Sequence, residues 1–183
     1  EFVGKANVDQ AIMCSVVPAA TRQAVKVLRE MAIKVHELTY KNCGIQVDYP
    51  RPSTIGTDRL SNARAGIDEF GCPLVVVDFG TAVTFDIING QAKYVGGVIA
   101  PGLSAMTDYL HDKTALLPKI QLRDPRTVIG KSTNQAMQIG AVRGYRGLVQ
   151  GLIREIKSSL RSRRLSVVAT GGYASLIGRN ITE

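Results

Sequence analysis

A short apolar run that ends in an aspartate constrains this chain more than any other feature of its sequence. Residues 74–77 read Leu-Val-Val-Val, a run typical of a strand that is buried on both faces. Residues 78–81 follow at once as Asp-Phe-Gly-Thr. A carboxylate leaving a buried strand, a glycine that lets backbone N–H groups approach a ligand, and a threonine hydroxyl together suit a cation and phosphate groups. The same residues also suit a purely structural turn, because Asp and Gly favour turns.

The residues after this turn predict an antiparallel hairpin. Residues 83–88 alternate loosely between apolar and polar types, Asn89 and Gly90 form a hairpin-turn signal, and residues 92–99 have the pattern of a returning strand. A buried strand, a phosphate-type turn and a hairpin in this order resemble the core of the superfamily that contains acetate kinase, sugar kinases, Hsp70 and actin. That resemblance implies an α/β fold with a ribonuclease-H-like core.

Composition excludes several classes of protein. The chain has 183 residues and is 45% apolar, which is enough for a sizeable core, yet its apolar runs are too short to span a bilayer. With no signal-peptide pattern at the start, we expect a cytoplasmic protein with no membrane partner. Two histidines give little material for a histidine metal centre or a serine triad. Three widely spaced cysteines favour a reducing compartment, give no zinc site and are interpreted as packing residues.

The net charge of +8 raises a nucleic-acid hypothesis. Much of the charge lies near the end of a long predicted helix, on Lys157, Arg161, Arg163 and Arg164. Cations there complement the helix macrodipole, and no aromatic residues alternate with them as a base-stacking platform requires. A solvated helix end is the favoured interpretation, so no nucleic-acid partner is predicted.

The residues before the valine strand predict two strands and a helix. Residues 10–17 have a strand pattern, Pro18 is suited to the first position of a helix, and residues 33–38 alternate as a second strand. Residues 47–52 contain Tyr49 and two prolines, and so predict an extended segment.

Asp58 has two interpretations. It can be an N-cap of the helix that the apolar pattern predicts up to Phe70. It can also lie in a pocket for a small polar substrate, beside Arg59 and after a glycine turn and an extended tyrosine segment. The arginine and the positive helix end would keep such a carboxylate ionised and able to accept a hydroxyl proton.

Glycines recur at predicted turns in the second half of the chain. Residues 96–102 place two glycines in an apolar strand before a Pro-Gly turn, which indicates close approach by a ligand or by backbone. Residues 130–133 read Gly-Lys-Ser-Thr, but Pro125 stands where a P-loop requires its first glycine, so that motif is rejected. Thr133 can cap the long helix predicted to follow it, or reach a ligand.

The long helix predicted over residues 134–160 carries glycines at spacings of four, three and four, namely Gly140, Gly144, Gly147 and Gly151. They predict a face where another helix packs closely, which a dimer would supply. Residues 165–169 then predict a second buried strand, and a turn follows it that contains Thr170, Gly171 and Gly172. Paired glycines let backbone lie close to a nucleotide, although a tight turn needs the same residues.

Taken together and in order, these motifs are similar to those of type III pantothenate kinases, a family once described as Bvg accessory factors. The matches are Tyr49, the run at residues 56–59, the run at residues 78–81, residues 96–102, residues 130–133 and residues 170–172. The resemblance implies a duplicated ribonuclease-H-like fold of the actin and sugar kinase type, working as a homodimer. It implies transfer of the ATP γ-phosphoryl group to the terminal hydroxyl of pantothenate, the first step of coenzyme A synthesis.

The resemblance also implies roles for individual residues. Asp58 would be the general base, and the pantothenate site would be lined by Tyr49, Gly56, Thr57, Arg59 and Thr133. Asp78 would hold a monovalent cation, K+ or NH4+. ATP, accompanied by Mg2+, would meet Gly80, Thr81, Gly97, Thr170, Gly171 and Gly172.

The same comparison predicts how the chain is divided. Residues 1–73 would be the remainder of a first lobe, with a substrate-binding segment at residues 47–70. Residues 74–183 would be a second lobe with the cation and ATP turn and the dimer-forming helices. The family's opening Asp-x-Gly-Asn-Thr phosphate loop has no counterpart in residues 1–42, so we expect a fragment of the kinase. The alternative is a catalytically incompetent module of the same fold that acts as a dimerisation partner or regulator.

Overall fold

The computed structural model describes residues 8–179 and residue 181. Its strands are β1 (Gln10–Met13), β2 (Lys34–Glu37), β3 (Gln46–Val47), β4 (Leu74–Phe79), β5 (Ala82–Ile88), β6 (Lys93–Pro101) and β7 (Ser166–Thr170). Its helices are α1 (Pro18–Glu30), α2 (Thr57–Phe70), α3 (Leu103–Lys113), α4 (Thr133–Ile139), α5 (Tyr145–Ser159) and α6 (Ala174–Gly178). A 3-10 turn at Pro52–Thr54 precedes α2, and a π-helical turn at Gly140–Gly144 joins α4 to α5.

The central feature is a five-stranded mixed sheet with the order β3-β6-β5-β4-β7. Strands β4, β5 and β6 follow one another as antiparallel neighbours, which confirms the hairpin predicted around Asn89. Strand β7 pairs parallel with β4, and the short β3 pairs parallel with β6. Strands β1 and β2 form a separate parallel pair. The division at residue 73 stays a prediction; β3, which precedes it, belongs to the five-stranded sheet.

The sheet lies between two helical layers. Helix α2 covers one face, where Leu60 and Ala63 pack with Leu74 and Val76. Helices α3 and α5 cover the other face, whose core includes Val75, Val77, Phe79, Val83, Phe85, Leu103, Tyr145, Val149 and Ile153. Successive side chains of a strand point to opposite faces. The alternation therefore places Asp78 of β4 and Asp86 of β5 on the face that α2 covers.

Several element boundaries differ from the sequence-based expectation. Strand β1 ends at Met13 rather than at residue 17, because Ser15 accepts hydrogen bonds from the Val17 amide and the Thr21 hydroxyl and so begins the turn into α1. Strand β2 is shorter by one residue at each end than the predicted 33–38. Of the cysteines, Cys43 is buried, whereas Cys14 is exposed, so packing does not describe all three.

Two helix starts also differ. Gly56 is the N-cap of α2 and Asp58 is its second residue, so the cap interpretation of Asp58 is wrong. Ser132 rather than Thr133 caps α4, since its hydroxyl accepts the Gln135 amide at 3.2 Å. The helix predicted over residues 134–160 is interrupted by the π-helical turn at Gly140–Gly144. No helix in the described part of the chain combines the length and apolarity needed to cross a bilayer.

Candidate active site

The first turn of α2 places Asp58 and Arg59 at the edge of the sheet. The buried side of the helix is held by Leu60 and Ala63, and this packing orients the polar residues of its first turns. Asp58 is exposed, and its Oδ1 accepts the backbone N–H of Arg59 at 2.9 Å. The positive end of the helix dipole stabilises a carboxylate at this position. Asp58 is therefore an accessible carboxyl group held at a helix start.

Asp78 lies beside the same helix. Its Oδ2 accepts a hydrogen bond of 2.9 Å from the Asn62 side-chain amide, and Asn62 follows Asp58 by four residues on α2. Residues four apart on a helix are surface neighbours. Asp58 and the Asn62 partner of Asp78 therefore lie on one side of α2, and we call the space beside them the cleft. Sequence reasoning missed Asn62, although its spacing from Asp58 on a predicted helix was a usable signal.

Three glycine-containing turns meet around Asp78. The Gly80 amide bonds to the Ala82 carbonyl at 3.1 Å, and the Gly102 amide bonds to the Thr81 carbonyl at 3.0 Å. Gly171 has φ +89°, and a Cβ there would lie 2.5 Å from Asp78 Oδ1 and 2.7 Å from the Phe79 backbone. Only glycine permits this approach. The turns that the sequence singled out separately are thus adjacent at one end of the sheet.

Arg59 forms a buried ion pair that the sequence analysis did not foresee. Its Nε donates to Oδ1 of Asp86 at 2.7 Å, and the Tyr94 hydroxyl donates to the same oxygen at 2.9 Å. Asp86 and Tyr94 are fully buried. Asp86 Oδ2 is buried and has no hydrogen-bond partner among the described residues. An aspartate inside an apolar strand, between Phe85 and residues 87–88, was the only signal of this pair.

Burial has the largest effect on the pKa values of Asp86 and Tyr94. Loss of solvation raises the pKa of the Asp86 carboxyl, while the Arg59 charge and the hydrogen bonds from Tyr94 and Arg59 oppose that shift. Loss of solvation also raises the pKa of the Tyr94 phenol well above its usual range, and the Asp86 carboxylate adds to the increase. Tyr94 is therefore a hydrogen-bond donor at any physiological pH.

The remaining predicted residues are distributed unevenly around the cleft. Gly97 is paired with Asp86 in the β5–β6 register, and a Cβ there would collide with the Arg59 guanidinium and the Phe85 carbonyl. Tyr49 is exposed and lies close enough to Tyr94 to interact with it electrostatically.

Thr57 and Thr133 differ in how they relate to the cleft. The Thr57 hydroxyl donates to the Ser15 carbonyl at 3.3 Å, which ties the start of α2 to the turn between β1 and α1. Thr133 is exposed at the start of α4, and no hydrogen bond in the described part of the chain links it to Asp58 or Arg59.

Asp78 is the carboxylate of the cleft that could hold a cation. Within residues 8–179 and residue 181, no three His, Cys, Asp or Glu side chains come together as a metal site. Asp78 provides one carboxylate beside the Gly80 and Gly171 backbone. Oxygen ligands of this kind fit a hard cation.

Comparisons of the sequence with a family model and with individual relatives agree on one family. The sequence model of type III pantothenate kinase matches residues 1–155. A type III pantothenate kinase of Akkermansia muciniphila is 49% identical over 183 residues, which cover 99% of this chain and 74% of the relative. The chain belongs to the type III pantothenate kinase family. Relatives from Methylacidiphilum infernorum and Acidiphilium cryptum are 46% and 43% identical, over 92% and 99% of the chain.

The family assignment agrees with the fold. A structure described as a Baf family transcriptional activator from Campylobacter jejuni superposes with a TM-score of 0.61 over 96% of this chain and 74% of that chain, at 22% identity. The chain therefore has the α/β fold of the ribonuclease-H-like actin and sugar kinase superfamily, as expected. It spans 62% and 68% of the lengths of the M. infernorum and A. cryptum kinases.

Proposed function

We propose that this chain phosphorylates pantothenate with ATP as donor, the first step of coenzyme A synthesis. The observation that carries the proposal is the hydrogen bond between Asn62 and Asp78, since it brings the cation-type turn beside the helix that carries Asp58. Relatives named type III pantothenate kinase support the choice of substrates.

Asp58 acts as the general base for the acceptor hydroxyl. It is accessible and held at the positive end of a helix, so it can orient the hydroxyl and accept its proton as the bond to phosphorus forms. Phosphoryl transfer requires mainly alignment and charge stabilisation, so a covalent nucleophile is unnecessary. Arg59 offers a guanidinium to the acceptor beside this carboxylate, and Tyr49, Gly56, Thr57 and Thr133 complete the acceptor site.

The turns on the other side of Asp78 receive the nucleotide. Gly80 and Thr81 are at the end of β4, and residues 170–172 follow the neighbouring parallel strand β7. Backbone N–H groups at such strand ends suit phosphate and ribose oxygens. When bound, a K+ or NH4+ ion at Asp78 and the Mg2+ that accompanies ATP would offset the phosphate charge. Gly97 lies on the Arg59 side, so its part in binding ATP would be indirect.

The direct test is product formation by the purified chain. With pantothenate, ATP, Mg2+ and K+, we expect phosphopantothenate by mass spectrometry, and less of it when Na+ replaces K+. Binding of pantothenate without turnover would overturn catalysis by this chain and favour the non-catalytic module. Failure to bind pantothenate and ATP by calorimetry would overturn the site itself.

The glycine face of the long helix supports a homodimer. A Cβ added at Gly140, Gly144, Gly147 or Gly151 would meet no atom within 4 Å, so no other element of the described chain packs there. Gly147→Leu is expected to shift a dimer to monomer in sedimentation velocity. Gly147→Ala, the matched control, should stabilise the helix by about 1 kcal/mol with little loss of dimer. A Gly147→Leu protein that dimerises like the unmodified chain would contradict this interface.

A further inference from the structure

A chain of hydrogen bonds connects the sheet interior to the cleft. Tyr94 and Asp86 are fully buried, whereas the side chain of Arg59, a residue of the first turn of α2, is 15% exposed. Tyr94 and Arg59 both donate to one oxygen, Asp86 Oδ1. The exposed end of this series of hydrogen bonds is therefore Arg59, which adjoins Asp58 in sequence.

The donors of Arg59 divide into two sets. Nε is bonded to Asp86, and Nη2 points to the Phe85 carbonyl at 3.4 Å. The guanidinium also lies 5.9 Å from the centre of the Tyr94 ring. No hydrogen bond among the described residues uses Nη1. The sheet thus holds the guanidinium through Nε and Nη2, and Nη1 makes no hydrogen bond to a described residue that a ligand would have to displace.

The ion pair between Arg59 and Asp86 is better explained as a device that positions the guanidinium than as a source of fold stability. A buried ion pair seldom stabilises a fold more than well-packed apolar residues of the same size, because both charges lose hydration. Here the cost is greater, since Asp86 Oδ2 is buried and accepts no hydrogen bond from any residue that the structure describes. An unrestrained arginine side chain has many rotamers. If it is fixed in one rotamer before a ligand arrives, the entropy cost of binding is lower.

We propose that Asp86 and Tyr94 are positioning residues that hold the Arg59 guanidinium toward the acceptor substrate, so that they determine pantothenate affinity without touching pantothenate. The inference rests on the proposed function only in taking Arg59 as a residue of the acceptor site. Gly97 belongs to the same arrangement, because a bare backbone at this position lets the guanidinium lie across β6.

Tyr94→Phe and Asp86→Asn test this directly. Phenylalanine removes one hydroxyl, and asparagine keeps an acceptor oxygen while removing the charge. Each change is expected to weaken pantothenate binding about tenfold, the effect of losing one charge-assisted hydrogen bond. Calorimetric Kd and steady-state KM for pantothenate should both rise, while the KM for ATP stays constant.

Tyr145→Phe is the matched control. Tyr145 is equally buried, and its hydroxyl donates to the Pro101 carbonyl at 2.7 Å in the core on the opposite face of the sheet. Thermal melts should show comparable losses of stability for the two tyrosine variants. Only Tyr94→Phe should change pantothenate affinity.

A double-mutant cycle with Arg59→Ala separates positioning from a structural role. If Tyr94 acts through Arg59, Tyr94→Phe should change pantothenate affinity little once Arg59 is alanine. Additive effects, or unchanged pantothenate Kd and KM in folded Tyr94→Phe and Asp86→Asn proteins, would overturn the inference. Failure of the unmodified chain to bind pantothenate would instead contradict the proposed function, so the two failures are distinguishable.

Discussion

Replacing Asp58 by Asn is expected to lower kcat for pantothenate phosphorylation by about 10²- to 10⁴-fold, the usual contribution of a general base. The amide keeps the shape of the side chain and can still accept the Arg59 backbone N–H, but it cannot take a proton from the acceptor hydroxyl. Because Asp58 is exposed, the melting temperature should change little. Stopped assays for phosphopantothenate and a thermal melt provide the two measurements.

Asp68→Asn is the appropriate control. Asp68 is an exposed aspartate of the same helix, where it forms an ion pair with Arg64. Its loss should leave kcat unchanged, because surface pairs of this kind contribute little. An Asp58→Asn protein with normal kcat would show that the carboxylate does not accept the proton, and the assignment of the base would then be wrong.

Gly97→Ala is expected to produce the largest loss of stability, about 1–3 kcal/mol, the usual cost of overpacking. The added methyl group would collide with the Phe85 carbonyl on the neighbouring strand and with the Arg59 guanidinium. The strand has to shift or the arginine has to leave its position. Urea unfolding measures the first effect and pantothenate Kd the second, and both should change.

Gly90→Ala controls for the loss of a glycine. Gly90 is in the β5–β6 turn, and a Cβ there would meet nothing within 4 Å. The free energy of unfolding should then change by less than about 0.5 kcal/mol, as for ordinary surface substitutions. Equal destabilisation by the two variants would mean that close contact with the Phe85 carbonyl and Arg59 is not the reason why position 97 requires glycine.

Local sequence patterns predicted the parts of the fold that depend on neighbours in the chain. The valine strand, its turn and the hairpin after Asn89 are set by period-two alternation and turn chemistry. The caps at Gly56 and Ser132 were assigned one or two residues away, because Asp58 and Thr133 are equally good capping types. The π-helical turn at Gly140–Gly144 has no clear sequence signal.

The parts that escaped prediction depend on contacts between distant segments. Asp78 was predicted as a site residue, but finding its partner Asn62 requires knowing how α2 lies across β4. The Arg59, Asp86 and Tyr94 network joins a helix to two strands, so it exists only once the sheet register is known. A single sequence contains the residue types for this network but not the register.

The spacing of Asp58 and Asn62 on α2 has a mechanical consequence. The two residues are four positions apart, about 6 Å along the axis, on a continuous helix. If α2 tilts or slides when ligands enter, Asp58, the proposed proton acceptor, and the Asn62 amide that holds Asp78 move together. The separation between the hydroxyl side and the phosphate side of the reaction is then governed by helical pitch, which resists deformation, rather than by loop conformation.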